Sequence, residues 1–171
     1  MEADLLKKTI TILMLLCFTF MLAACGGEEP NIVSAGEDNT ATGQKGDVMR
    51  TPQIDFVVSE VRALSKFADQ RPIDGDKYID VLISITNTSD VDIEMHDVDF
   101  QLQWGAAGFA DPMVAYDERM APFDFAVAAG ETVEYHFIYS VSAQITQFKI
   151  CYLHKPVGEE RPQLLYVEFS L

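Results

Sequence analysis

Residues 78–87 read Tyr-Ile-Asp-Val-Leu-Ile-Ser-Ile-Thr-Asn. Every odd-numbered position from Ile79 to Ile85 is a β-branched aliphatic residue, and the positions between them are mostly polar. A period of two sends successive side chains to opposite faces of a strand. We therefore predict a strand that buries Ile79 and its alternate neighbours and leaves Asp80 in solvent.

Further segments show the same period and are separated by Gly, Pro, Asn and Asp. They are residues 54–58, 95–104, 113–116, 133–141, 148–152 and 165–171. Within them we expect Val98 to point inward, and Asp97, His136 and Ile138 to point outward. The apolar spacing of an amphipathic helix is absent, so the predicted fold is an all-β, immunoglobulin-like antiparallel sandwich of about seven strands. Residues 105–122 are expected to form an irregular crossover between the sheets.

Three motifs resemble a known family. They are residues 78–90, which end in Asn87-Thr88-Ser89-Asp90, residues 99–102 with Phe100 and Leu102, and residues 129–133 with Gly130-Glu131. Together they resemble the immunoglobulin-like lipoprotein domains of unknown function that are common in Gram-positive bacteria, with Ala129 where that family often has proline. The resemblance implies the fold and an anchored extracellular binding or accessory role, without catalytic residues. Asn87, Asp90 and Gly130 are turn residues in this interpretation.

The N-terminus resembles a bacterial lipoprotein signal. Lys7 and Lys8 precede an apolar run of 14 residues, 9–22, and Leu22-Ala23-Ala24-Cys25 resembles a lipobox. A membrane span needs about 20 apolar residues, so this run is short for one. We expect residues 1–24 to be a signal peptide and Cys25 to carry palmitate-type lipid. An uncleaved helix or a signal peptide with an incidental cysteine are the alternatives.

Composition divides the remainder into two parts. Residues 25–50 are rich in Gly, Glu, Asp, Asn, Thr and Ser, and we predict a flexible, disordered tether that holds the domain roughly 28 Å from the bilayer. Residues 51–171 are predicted to form the sandwich. The expected location is therefore the extracytoplasmic side of the cell membrane, with a lipid anchor.

The chain is strongly acidic. It has 12 Lys and Arg against 27 Asp and Glu, for a net charge of −15. Nucleic acid attracts clustered basic residues, so this surface excludes it as a partner. Cys151 is the cysteine left once Cys17 and Cys25 are assigned to the signal and the lipid, and we expect it to be a half-buried thiol.

Metal binding is the alternative function. Cys151 and His154, with His96, His136, Met113 and Met120, could suggest copper, but a straight strand places Cys151 and His154 on opposite faces. The acidic residues are candidates for calcium in two groups: Asp74, Asp76 and Asp80, and then Asp90, Asp92, Glu94, Asp97 and Asp99. Neither group has the spacing of a calcium loop, so we predict no metal and no cofactor.

No hydrolase or thiol-redox motif occurs in the sequence, and we predict that the chain is not an enzyme. Loops on a rigid scaffold often carry binding sites, and residues 105–125 hold several aromatic and Met side chains. We therefore expect this segment to recognise a protein, peptide or cell-wall ligand, or else only to cover the core. The predicted function is a membrane-anchored, non-enzymatic binding or accessory lipoprotein of the cell envelope. The alternatives are a copper- or calcium-binding extracytoplasmic protein, or a structural component without a specific ligand.

Overall fold

The computed structural model describes residues 30–155 and 161–171. Within these residues there are twelve strands. They are β1 (Ile32–Ser34), β2 (Thr40–Gln44), β3 (Val48–Arg50), β4 (Ile54–Leu64), β5 (Asp76–Asn87), β6 (Ile93–His96), β7 (Phe100–Trp104), β8 (Gly108–Ala110), β9 (Asp124–Val127), β10 (Thr132–Ser142), β11 (Gln147–His154) and β12 (Gln163–Ser170). No described residue belongs to a helix that could cross a membrane.

Two five-stranded sheets form the sandwich. The first sheet has the order β1-β3-β4-β5-β10, and the second has the order β2-β12-β11-β7-β8. Strands β6 and β9 form a separate ribbon. Neighbouring strands are antiparallel except for the pairs β1–β3 and β2–β12. The predicted all-β sandwich is confirmed, with more strands than expected because strands of three to five residues are too short to show a period.

The core lies between the two sheets. Its fully buried members include Phe56, Phe100 and the alternate positions Ile79 to Ile85, as predicted. The rings of Phe56 and Phe100 meet edge to face at 5.3 Å, and the hydroxyl of Tyr139 donates a 2.7 Å hydrogen bond to the carbonyl of Phe100. Full burial of one such apolar side chain is worth about 1.5–3 kcal/mol, so this core is the main source of stability.

The predicted tether of residues 25–50 is wrong for residues 32–50. Strands β1 to β3 lie there, and β2 pairs with β12 while β3 pairs with β4. Met49 is fully buried and Ala41 is 7% exposed. This polar segment is ordered because neighbouring strands supply partners for its backbone, a cause that composition does not reveal. The predicted signal peptide and the predicted lipid-attachment residue Cys25 lie outside the described residues.

The predicted strand at residues 95–104 is in fact two strands. Between β6 and β7, residues Asp97–Asp99 form a 3-10 turn. A 3-10 helix repeats every three residues whereas a strand repeats every two, so this segment shifts which side chains point inward. Val98, expected inside, is 43% exposed, whereas Asp97, expected outside, is 2% exposed.

A second, smaller core covers the outer face of the first sheet. Residues 113–116, predicted as a strand, are irregular and run beside β10, where the amide of Met113 donates to the carbonyl of Ile138 at 2.7 Å. Met120, Phe67 and Tyr78 pack around Ile138, which is fully buried rather than exposed as predicted. The crossover therefore turns part of this outer face into an interior.

The turn residues behave as the sequence indicates. Asn87 is fully buried, and its amide nitrogen donates to the carbonyls of Val91 and Val127 at 2.7 and 2.9 Å. Its oxygen accepts the amide of Ser89 at 2.9 Å. Gly130 has a φ of 75°, which a residue with a Cβ adopts only under strain. Together these residues hold the β5 and β10 ends in place.

Candidate functional site

The copper candidates lie in separate places. Cys151 points to the outer face of the second sheet, and His154 points to the other face of β11, where its ring lies 6.3 Å from that of Tyr152. His96 lies 2.6 Å from Asp124. Met113 and Met120 belong to the second core. In the part of the chain that the structure describes, no three His, Cys, Asp or Glu side chains are grouped to hold a metal.

His136 and Asp80 form a buried pair that the sequence placed in solvent. Nδ1 of His136 lies 2.6 Å from one oxygen of Asp80, and Nη2 of Arg62 donates to the other at 2.8 Å. Asp80 is 1% exposed. Phe67 of the second core packs on the His136 ring at 5.7 Å. A buried carboxylate requires such partners, and this arrangement ties β4, β5 and β10 together.

Three other carboxylates of the acidic groups also stabilise the fold. Asp92 accepts the amide of Ala129 at 3.0 Å, and Asp99 accepts the amide of His96 at 2.9 Å. Asp76 accepts the hydroxyl of Ser140 at 3.2 Å. These oxygens bind groups in different parts of the fold, whereas a calcium site needs them to converge on one point.

The electrostatics of the β6–β9 ribbon centre on His96. Its hydrogen bond to Asp124 raises the pKa of the imidazole above its ordinary value, with smaller contributions from Asp99 and Asp97. Both His96 and Asp124 are largely exposed, at 54% and 62% of their side chains. Water and salt screen such a pair, so it contributes little to stability.

The predicted recognition segment, residues 105–125, does not form one surface. Phe125 belongs to the main core, and Met113 and Tyr116 pack on the second core. Phe109 and Phe123 remain exposed, at 59% and 58%. Phe109 lies in the second sheet, whereas Phe123 contacts His96, with their rings 6.1 Å apart.

A row of side chains crosses all five strands of the second sheet on its outer side. The register pairs Phe109 with Gln103, Gln103 with Lys149, Lys149 with Glu168, and Glu168 with Gln44. Adjacent strands are about 4.8 Å apart, so the row spans roughly 19 Å. The period of two in residues 95–104 predicts that Gln101 and Gln103 point outward, but a local pattern does not contain the register that joins them to β11 and β12.

A second row lies beside the first. It joins Gln101, Cys151, Tyr166 and Thr42 through the same strand pairs. We call the two rows together the polar face.

Two cavities open along the polar face. The larger has a volume of about 740 Å³ and is lined by residues that include Gln44, Lys45, Gln103, Trp104, Lys149 and Phe169. The smaller, of about 230 Å³, lies between Phe109, Gln101, Gln103 and Lys149. Both cavities share Gln103 and Lys149, so these two side chains form the divide between them.

Several contacts fix the side chains of the polar face. The amide of Gln103 donates to Gln101 at 3.0 Å, and that of Gln101 donates to Asp111 at 3.1 Å. The ammonium of Lys149 lies 4.3 Å from the centre of the Tyr166 ring. The face is therefore preorganised, which lowers the entropy cost of binding.

Two titratable side chains of the second row, Cys151 and Tyr166, stay neutral at physiological pH. Burial raises the pKa of the Cys151 thiol, which is 6% exposed and therefore more buried than expected. Burial also raises the pKa of Tyr166. A protonated thiol is a poor nucleophile and metal ligand, so this face offers hydrogen bonds and apolar contact.

Comparisons with known proteins identify the fold alone. No family model and no curated protein matches the chain. The "putative lipoprotein (ycdA)" of Bacillus subtilis superposes with a TM-score of 0.58 and 17% identity over 72% of this chain and 38% of that one. This chain therefore spans less than half of that protein. The yjhA protein of Bacillus subtilis gives a TM-score of 0.54 and 11% identity over 73% of this chain and 98% of that one. The chain thus shares its fold with these Bacillus proteins.

Proposed function

We propose that this chain is a lipid-anchored protein on the extracytoplasmic side of the cell membrane, and that its sandwich binds a partner without catalysing a reaction. The anchor is assigned to Cys25 on its sequence motif. A fold shared with a Bacillus protein described as a lipoprotein supports this assignment.

The polar face is the observation that carries the binding role. It combines an exposed aromatic side chain, Phe109, with the amides of Gln101 and Gln103 and the lysine Lys149 beside two cavities. Apolar surface with a few fixed polar groups is the usual composition of a ligand site. Binding rather than catalysis is favoured because the Cys151 thiol of this face is protonated and largely covered.

Changing Cys25 tests the anchor. The full chain should incorporate labelled palmitate and sediment with membranes, whereas Cys25→Ser should incorporate none. An uncleaved helix would leave the full chain unlabelled in the membrane fraction. A plain signal peptide would leave both proteins unlabelled. Either result would contradict the lipid anchor.

Affinity capture from the cell envelope tests the binding role. The full chain should retain an envelope component, and Phe109→Ala should retain much less of it. Phe123→Ala is the matched control, because Phe123 is equally exposed but lines neither cavity of the polar face. Recovery of no reproducible component would favour a structural role without a ligand.

A further inference from the structure

We propose that the polar face binds an uncharged glycan, an inference that rests on the proposed binding function and names its ligand class. A sugar ring has an apolar face of C–H groups and a rim of hydroxyls that both donate and accept hydrogen bonds. A site for it therefore needs exposed aromatic or aliphatic surface next to groups that can do both.

The amides of the polar face meet the second requirement. A glutamine side chain carries two donors and an acceptor of two hydrogen bonds, so it can pair with a hydroxyl in either sense. Gln44, Gln103 and Gln147 line the larger cavity, and Gln101 lines the smaller one. The hydrogen bonds from Gln103 to Gln101 and from Gln101 to Asp111 use one N–H of each amide and one acceptor site of Gln101. The second N–H of each amide and the oxygen of Gln103 remain available to a ligand.

Aromatic side chains meet the first requirement. Phe109 is 59% exposed and stands opposite Gln103 in the register, so an apolar ring and an amide lie side by side. Trp104 and Phe169, both partly buried, lie at the larger cavity.

The charges around the polar face favour an uncharged ligand. Lys45 and Lys149 at the larger cavity are offset by Glu168 and by Asp111 beside Gln101. Neither lysine forms an ion pair with a residue that the structure describes. The local balance is near neutral on a chain whose net charge is −15, so a polyanion would approach against the overall field. A cation would find Lys149 already placed over Tyr166.

Shape selects an extended oligosaccharide. The face is an open sheet surface that spans roughly 19 Å, and the larger cavity of about 740 Å³ runs along it, lined by the row members Gln44, Glu168, Lys149 and Gln103. An extended, ribbon-like β-1,4-linked chain can lie across such a surface and present one ring at a time to Phe109.

Calorimetry with the full chain in detergent tests this inference. The probes are the β-1,4-linked tetramers of N-acetylglucosamine and of glucose, and polygalacturonate serves as a polyanion. We expect saturable binding of at least one tetramer, and a loss of affinity of about tenfold in both Phe109→Ala and Gln103→Ala. Phe123→Ala should bind as the unchanged chain does, and equal thermal midpoints should show that all variants are folded.

Three results would overturn the inference. They are failure of both tetramers to bind, equal affinities for Phe109→Ala and Phe123→Ala, and binding of the polyanion alone. If the envelope capture recovers a protein that depends on Phe109 while no tetramer binds, the glycan assignment fails and the binding role stands.

Discussion

Asp97 is a buried carboxylate that weakens the fold at neutral pH. Burial is the main cause that raises its pKa, and the nearby carboxylates of Asp111, Asp124 and Asp99 add to the effect. Its Oδ1 has no hydrogen-bond partner among the described residues. A carboxyl group whose pKa is higher in the folded than in the unfolded state stabilises the fold at pH values below its ordinary pKa of 3.8. This stabilisation is lost as the pH rises through the pKa of the folded state.

The substitution Asp97→Asn should therefore stabilise the protein at pH 7. The uncharged amide has nearly the same shape and removes the desolvation penalty. Urea denaturation should give a higher midpoint for the variant at pH 7, and the difference should close as the pH falls toward 3. Asp99→Ala is the opposing control, because it removes the acceptor of the His96 amide and should cost about 1 kcal/mol. A midpoint at pH 7 that is no higher for Asp97→Asn would contradict this account.

The strands show why part of the fold follows from local sequence and part does not. Strand β5 is twelve residues long and packs one face on the main core, so the alternation of apolar and polar residues is clear in its sequence. The other face changes character where the second core covers it, and Ile138 and Asp80 are buried there for a reason outside their own strands. Likewise, the polar face depends on pairing Gln103 with Lys149 and Lys149 with Glu168. Local patterns predict which side chains point outward but not which ones become neighbours.

Strand β3 gives a direct test of the order in residues 32–50. Met49 is fully buried and packs against Gly43, where a Cβ would overlap its sulfur. Met49→Ala should lower the free energy of unfolding by about 2–5 kcal/mol, because it leaves a cavity in the core. Lys45→Ala, an exposed change in the same segment, should alter it by less than about 0.5 kcal/mol. Equal stabilities for the two variants would mean that this segment is a tether after all.

At the scale of the whole molecule, the net charge of −15 opposes folding through self-repulsion. The described ion pairs stabilise the folded state, but several of them are exposed. In the pair Arg119–Asp117, for example, 55% of the arginine side chain is accessible to solvent. Pairs of this kind contribute about 0–1 kcal/mol each. The repulsion is spread over the whole surface, so we expect it to outweigh them.

Salt should therefore stabilise the full chain at pH 7. Raising the ionic strength from about 0.01 to 0.15 M shortens the screening length from about 30 to 8 Å, which weakens repulsion between distant carboxylates more than it weakens contacts at hydrogen-bond distance. Calorimetry should show a rise in the thermal midpoint of about 2–5 °C. The same experiment near pH 4.3, the isoelectric point, is the control, because the repulsion is absent there and the rise should disappear. A midpoint that falls with salt at pH 7 would show instead that the surface ion pairs dominate the electrostatic free energy of this sandwich.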